Sequence, residues 1–482
     1  MFDIVIVGAG VVGSLIARKL SSYQLNVLII DKESDVGNVT SMANSAIVHS
    51  GYDPLPGSLK AKLNVEGNKM FPKLCNELDV SLEMIGSLTV ALYDEQLPLL
   101  KDLANRSKEN GVDVKLLTSD EVKKIEPNIS DKVKGALLAP TAGIVNPFTL
   151  VVHAMENAVD NVVILHLNEE VINISKINDY YLVKTTKGSY DTRIVINAAG
   201  VYGDKINALV EKIDYEIKPR KGEYFVLDHY KKGLVNHVIF PLPSEKGKGI
   251  LVSPTTSGNY IVGPSSEWIN DKDDVSCDKL TLDNVKKQAL EMVPSIPFNQ
   301  VIRIFSGNRP TPSTHDFIIG FSKIDKHFIN ASGIESPGLA SSPAIAEYVV
   351  NEFVSKVIDL KEKSSFNPYV EPRIHLAKLS IEEKNKIIKE NPDYGTIVCN
   401  CEKVSLGEIK DELSRSVPPH SVKALKKRTR AGFGKCQGGF CQPLVIKELA
   451  KHFNLKMNEI ELDKVDSYIC RYQTKENKEW KK

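Results

Sequence analysis

One six-residue motif near the N-terminus constrains this chain more than anything else in it. Gly8-Ala9-Gly10-Val11-Val12-Gly13 follows an apolar run, Ile4 to Val7. It opens an amphipathic stretch with Leu15, Ile16 and Leu20 on one side. A second apolar run, Val27 to Ile30, ends at Asp31, 18 residues past Gly13. Alone, a G-x-G-x-x-G is a weak signal that an ordinary glycine turn also satisfies. Between a strand and a helix, and ahead of an acid, it predicts a βαβ dinucleotide unit. Gly8 allows the tight turn, Gly10 lets backbone approach a pyrophosphate, and Gly13 lets helix pack on strand. The phosphates would rest on the helix N-terminus, where free N–H groups and the dipole favour negative charge. Asp31 would accept a hydrogen bond from a ribose hydroxyl.

A chain of 482 residues exceeds one ordinary core, so two or three domains are expected. With 62 basic against 61 acidic residues, nothing favours nucleic acid or a strongly anionic membrane surface. No apolar run is long enough to span a bilayer. Met1 leads almost at once into a strand, without a basic signal region, so a cytoplasmic chain is expected. Any membrane contact would come through partner subunits.

Along the chain, residues 95–127 read as helix, strand, helix. Val162 to Leu165, Val171 to Ile174, Tyr181 to Thr185 and Ile194 to Ile196 read as strands. Residues 215–265 are strand-rich, with turn signals at Lys221-Gly222 and Ser257-Gly258-Asn259. A helix is expected over 279–292, and strand, glycine turn and helix over 327–355. A charged, proline-containing stretch from about 361 to 395 reads as a linker region. The expected division is a dinucleotide-binding part over 1–372, with substrate-binding segments inserted near 80–145 and 215–310. A linker over 373–395, a cysteine module over 396–450 and a polar tail over 451–482 complete it. The fold class is α/β plus α+β: a Rossmann-like domain, an interleaved antiparallel sheet and a small helical module.

Later glycines decide which dinucleotide is bound. Asn197-Ala198-Ala199-Gly200 follows an apolar strand, and its small residues allow a close return pass. Gly333-Ile334-Glu335-Ser336-Pro337-Gly338-Leu339 is a second glycine-rich helix start, more than 300 residues after the first. A simple NAD domain does not need one. An extended FAD does, because its ring needs its own backbone cradle and a positive helix end near the reduced ring.

Seven cysteines are spread unevenly: Cys75 and Cys277 are isolated, and five lie in the last fifth. Cys399-Asn400-Cys401 and Cys436-Gln437-Gly438-Gly439-Phe440-Cys441 form C-x-C and C-x4-C pairs with 34 residues between them. Four thiolates can hold a [2Fe–2S] cluster or a zinc ion. Reduced structural thiols are the third reading. The spacing differs from zinc-ribbon C-x2-C pairs. Gly438 and Gly439 let N–H groups approach sulfur. Lys426, Lys427, Arg428, Arg430 and Lys435 bring positive charge that suits an anionic cluster, or else form a solvated face.

The order of these motifs resembles the D-amino-acid-oxidase-like superfamily of FAD oxidoreductases over roughly residues 1–372. Ser41 to Tyr52 and Pro56 to Leu63 are similar to the glycerol-3-phosphate oxidase/dehydrogenase group, with a related stretch in L-2-hydroxyglutarate oxidases. Arg428 to Cys441 resembles the bacterioferritin-associated-ferredoxin-like [2Fe–2S] domain, which is fused to the A subunit of anaerobic glycerol-3-phosphate dehydrogenase. The resemblance implies that FAD contacts Gly8 to Gly13, Asp31, Lys32, Ser41, Asn44, Ser45, Val171, Ala198, Gly200, Gly333, Ile334, Gly338 and Leu339. It implies that Cys399, Cys401, Cys436 and Cys441 hold the cluster. It makes His49 the base for the substrate hydroxyl and Arg309, in Gly307-Asn308-Arg309-Pro310, the grip on a small anionic substrate. Lys221 is a weaker second candidate. The implied reaction is oxidation of sn-glycerol 3-phosphate to dihydroxyacetone phosphate, with electrons leaving through the cluster to an electron-accepting subunit. An L-2-hydroxy acid or an amine remains open as substrate. So does a zinc-held docking module on a flavoprotein subunit.

Overall fold

The computed structural model describes residues 1–229, 233–243 and 249–470. The expected tail over 471–482 lies outside the described residues. At the centre, strand Phe2–Val7 pairs in parallel with Val27–Ile30 on one side and Ser189–Asn197 on the other. Ile164–His166 extends one edge and Phe328–Ser332 joins the other, both in parallel. Parallel strands buried on both faces need continuous apolar runs, and Ile4 to Val7 and Val27 to Ile30 supply them. Helix Val11–Leu20 covers this sheet, packed between helices Pro147–Asp160 and Gly338–Glu352. Helix Leu59–Glu77 lies so close to the last of these that a Cβ on Gly67 would stand 2.2 Å from the Ala340 carbonyl oxygen.

A second sheet of nine strands forms the other half of the oxidoreductase part. Its longest pair is Ile217–Leu227 against Val301–Pro312, antiparallel, with Arg220 directly opposite Arg309. The turn expected at Lys221-Gly222 is therefore mid-strand. Glycine is needed there because a Cβ would stand 2.6 Å from the Arg309 guanidinium. Lys221 is buried and bound to Asp274 at 2.9 Å, so it is not a substrate ligand candidate lining the cavity described below.

The C-terminal module pairs Ile397–Cys399 with Val404–Ser405 and packs three helices, Leu406–Leu413, Val422–Thr429 and Gln442–Phe453. Ser405 and Ser421 start the first two by accepting backbone N–H groups, and Glu408 completes a capping box with Ser405. Ile409, Leu413, Leu425, Val445, Ile446 and Leu449 form its core.

The stretch expected as a linker is folded. Helix Ile381–Glu390 opens on a Ser380–Glu383 capping box. Buried Arg373 binds Glu156 of the oxidoreductase part and Glu412 of the module. The basic run ahead of Cys436 is also partly internal. Arg428 donates two hydrogen bonds of 2.9 Å to the two oxygens of Asp35, and Lys427 lies 2.7 Å from the same carboxylate. Arg430 binds Glu402. The run is thus only partly solvated: Lys435 is exposed, while Lys427 and Arg428 serve the seam between the two parts.

Candidate flavin cavity and cysteine centre

The glycine motif builds a turn no other residue could make. Gly8 has φ +106°, and a Cβ there would lie 2.5 Å from the Ala198 carbonyl oxygen. A Cβ on Gly13 would lie 1.9 Å from the Gly8 oxygen. Helix Val11–Leu20 has no acid in its first turn and no side-chain cap at Gly10. Helix Gly338–Glu352 likewise begins without a cap or an acid. Both positive helix ends border one cavity of about 740 Å³, between the parallel sheet and the nine-stranded sheet. Two helix N-termini free of acidic side chains, the first with its Val11 N–H donating to the Ser41 hydroxyl at 2.9 Å, a backbone cradle and a long cleft fit an extended anionic dinucleotide.

Of the expected flavin residues, Gly10, Val11, Val12, Ser41, Asn44, Ser45, Ala198, Gly200, Ile334, Gly338 and Leu339 line this cavity. Gly8, Ala9 and Gly13 stand behind it as the turn. Asp31 accepts from the backbone N–H of Ala9 at 2.6 Å and of Glu33 at 2.9 Å. Each oxygen keeps a second lone pair for a ribose hydroxyl. Lys32 is exposed, its ammonium 3.8 Å over the Tyr202 ring. Val171 starts a strand and Gly333 packs on Pro312, and neither borders the cavity.

His49 and Arg309 both line the cavity. The His49 carbonyl accepts from Asn64 and Asn68, one turn apart on helix Leu59–Glu77, which fixes its backbone. Its ring lies 5.7 Å from that of Phe240. Arg309 donates to the carbonyls of Arg220 and Ser265. Burial, and to a lesser degree the neighbouring Arg220, lower the affinity of Arg309 for its proton, though a guanidinium stays charged.

Sequence reasoning missed the trio beside it. Glu335 is buried and binds Lys60 at 2.8 Å, Arg220 at 2.7 Å and the Thr311 hydroxyl at 2.8 Å. Burial alone would raise its carboxyl, but Lys60 and Arg220 outweigh that and hold it low. Two cations on one carboxylate leave a surplus positive charge. The buried Arg220 Nε has no hydrogen-bond partner among the described residues. With Arg309, the wall offers an anion two guanidinium groups on adjacent strands. Nothing local in the sequence marks this wall, because Arg220 and Arg309 meet only through the pairing of distant strands.

At the far end, the sulfurs form two pairs. Cys401 and Cys436 are 3.6 Å apart, and Cys399 interacts with the neighbouring Cys441. A two-iron cluster takes two thiolates per iron, so the paired arrangement fits it. The neighbouring Cys441 thiol, against the opposing effect of burial and aided by backbone N–H groups of Gly432, Glu402 and Cys401, draws the Cys399 thiol well below the ordinary range. Burial opposes the same shift at Cys436, but N–H groups of Gly438 and Phe440 still lower it. Such N–H donors suit ligand thiolates.

Gly13→Ala is expected to yield folded protein that purifies without flavin, because the new methyl would force the phosphate turn open. The flavin absorbance per chain checks this.

The FAD dependent oxidoreductase family matches residues 3–352, and the BFD-like [2Fe-2S] binding domain matches 397–451. Glycerol 3-phosphate dehydrogenase of Caloramator mitchellensis is 45% identical over 476 residues, 98% of this chain and 99% of that protein. Glycerol 3-phosphate oxidase of Mycoplasma pneumoniae is 34% identical over 360 residues, 72% of this chain and 93% of its own. The solved structure of dithionite-reduced L-alpha-glycerophosphate oxidase from that organism, with FAD bound, superposes with a TM-score of 0.73 at 31% identity. It covers 77% of this chain and 99% of its own. Glycine motif, second helix start, cleft and cysteine pairs agree with these matches: the chain belongs to the FAD-dependent oxidoreductases and carries a C-terminal [2Fe–2S]-binding domain.

Proposed function

We propose that this protein is an FAD-dependent dehydrogenase that oxidises sn-glycerol 3-phosphate to dihydroxyacetone phosphate and passes the electrons outward through a [2Fe–2S] cluster. The observation that carries the reading is the cavity wall, where His49 and the Arg309–Arg220 pair border the same cleft as the flavin loop Ser41 to Ser45. Bound FAD supplies the two-electron acceptor for the alcohol carbon, and the cluster supplies single-electron transfer. Arg309 and Arg220 bind the phosphate dianion through their forked N–H groups. Lys60 adds charge while Glu335 holds it and Arg220 in place. With the phosphate anchored, the hydroxyl of the middle carbon is presented to His49, which takes its proton as the carbon–hydrogen bond breaks. Cys399, Cys401, Cys436 and Cys441 hold the cluster. No helix among the described residues is long and apolar enough to cross a membrane.

Anaerobic glycerol 3-phosphate should bleach the flavin bands of the purified protein and raise the signal of a reduced cluster. Faster bleaching by L-2-hydroxyglutarate would overturn the substrate, and a metal assay giving zinc without iron would overturn the electron route. Arg309→Lys should raise KM roughly ten- to a hundredfold, because a point charge replaces a forked donor worth about 1.5–3 kcal/mol. Steady-state kinetics over a range of substrate concentrations read this directly.

A further inference from the structure

We infer that the outward face of the cysteine loop is the docking surface for a small acidic protein carrying a one-electron centre. This rests on the reading that electrons leave through the cluster. The two sulfur pairs differ in depth. Cys399 and Cys441 are buried, while Cys401 is exposed and Cys436 half-buried. The inner side meets the flavoprotein part, where the Phe433 ring packs 5.4 Å from that of Phe148. Electrons arriving from within would therefore leave past the outer pair.

That outer face is built like a transient interface. Phe440, in the loop between Cys436 and Cys441, is 85% exposed, more than any other large apolar side chain described. It makes no ring contact among the described residues. Leu444 follows it onto helix Gln442–Phe453 and is 46% exposed. A bare phenylalanine beside a redox centre is an apolar contact waiting for a partner.

The exposed charges on the segments carrying the outer cysteines are of one sign. Lys403, Lys435 and Lys447 are exposed and form no ion pair among the described residues. No Asp or Glu occurs from 431 to 447. Glu402, the carboxylate nearest the outer pair in sequence, is buried at its side chain and held by Arg430 at 2.7 Å. An exposed apolar side chain beside the outer cysteines, with exposed lysines next to Cys401 and Cys436 in sequence and on the helix that follows, favours an acidic partner and speeds its encounter. The transfer is balanced by electrons alone. One ferrous iron of the reduced cluster becomes ferric, and the partner's centre gains that electron, with no proton or bond exchanged.

The test uses the holoenzyme, reduced with a slight excess of dithionite and desalted without oxygen. It is mixed with plastocyanin, an acidic blue-copper protein, or with cytochrome c, a basic haem protein. At low salt plastocyanin should be reduced at least tenfold faster, and added salt should erase the difference. Phe440→Ala should slow plastocyanin reduction at least tenfold, and Lys403→Glu with Lys447→Glu should reverse the preference. Flavin bleaching and the cluster's paramagnetic signal should stay as in the parent. Equal or faster reduction of cytochrome c, or variants that change nothing, would overturn the proposal. So would a dimer in sedimentation that Phe440→Ala dissociates, because a second copy would then own the face. Failure of glycerol 3-phosphate to bleach the flavin sinks only the substrate reading, since the chemically reduced assay still reads the surface. Absence of a cluster signal after dithionite removes both the electron route and the docking face.

Discussion

Replacing His49 by asparagine should slow substrate-driven flavin bleaching by roughly 10²–10⁴-fold, the usual worth of a positioned acid–base group. Flavin content and the reduction of the cluster by dithionite should not change. His49 reaches the cavity from a two-residue strand, Ile47–Val48, and its own carbonyl is pinned by Asn64 and Asn68. The ring can thus be lost without moving the backbone that presents it. Asparagine keeps a polar side chain of similar reach but takes no proton. Rapid-mixing kinetics without oxygen separate the step from later electron transfer. Binding offers a second readout: the substrate concentration at half-maximal bleaching rate should move little, since Arg309 and Arg220 are untouched. A bleaching rate within threefold of the parent would remove His49 as the base.

The contrast between His49 and its neighbours shows what this sequence discloses. The nucleotide turn is readable because every residue that matters lies within one βαβ unit. The glycines, the strand before and the acid after are all local. The cysteine pairs are readable for the same reason. The anion wall is not. Lys60 comes from a helix, Arg220 from a strand and Glu335 from the turn before another helix, and only the fold brings them together. Gly222 misleads because glycine signals a turn by default, whereas here it clears room for the Arg309 guanidinium across a strand pair. The basic run before Cys436 misleads in part, because charge is visible in sequence but its partner is not. Asp35 stands 393 residues from Arg428.

Asp35→Ala should therefore be the most damaging change outside the cavities. Its carboxylate is buried and binds Arg428 through two hydrogen bonds, with Lys427 beside it. Burial alone would raise this carboxyl, but the two cations overcome it and hold it well below the usual carboxylate range. Truncation leaves two buried cations without their counter-charge, a loss of about 3–5 kcal/mol. Salt should not mimic the variant, because a buried pair is little screened. The pH dependence has a definite sign. A carboxylate whose pKa falls on folding stabilises fully above its unfolded value near 4 and loses that contribution as pH drops towards the folded value. The stability gap between parent and variant should be flat from pH 6 to 8 and close only in acid. The effect should also reach the flavin. Asp35 lies between Asp31, which binds the Ala9 N–H, and Thr40, whose hydroxyl donates to the Asn308 carbonyl. Releasing Asp35 loosens the segment that links nucleotide turn to flavin loop. Thermal unfolding followed by both circular dichroism and flavin fluorescence should show the variant losing flavin at a lower temperature than the parent. Retention of flavin to the parent's temperature would mean that the module's hold on Asp35 supports only itself.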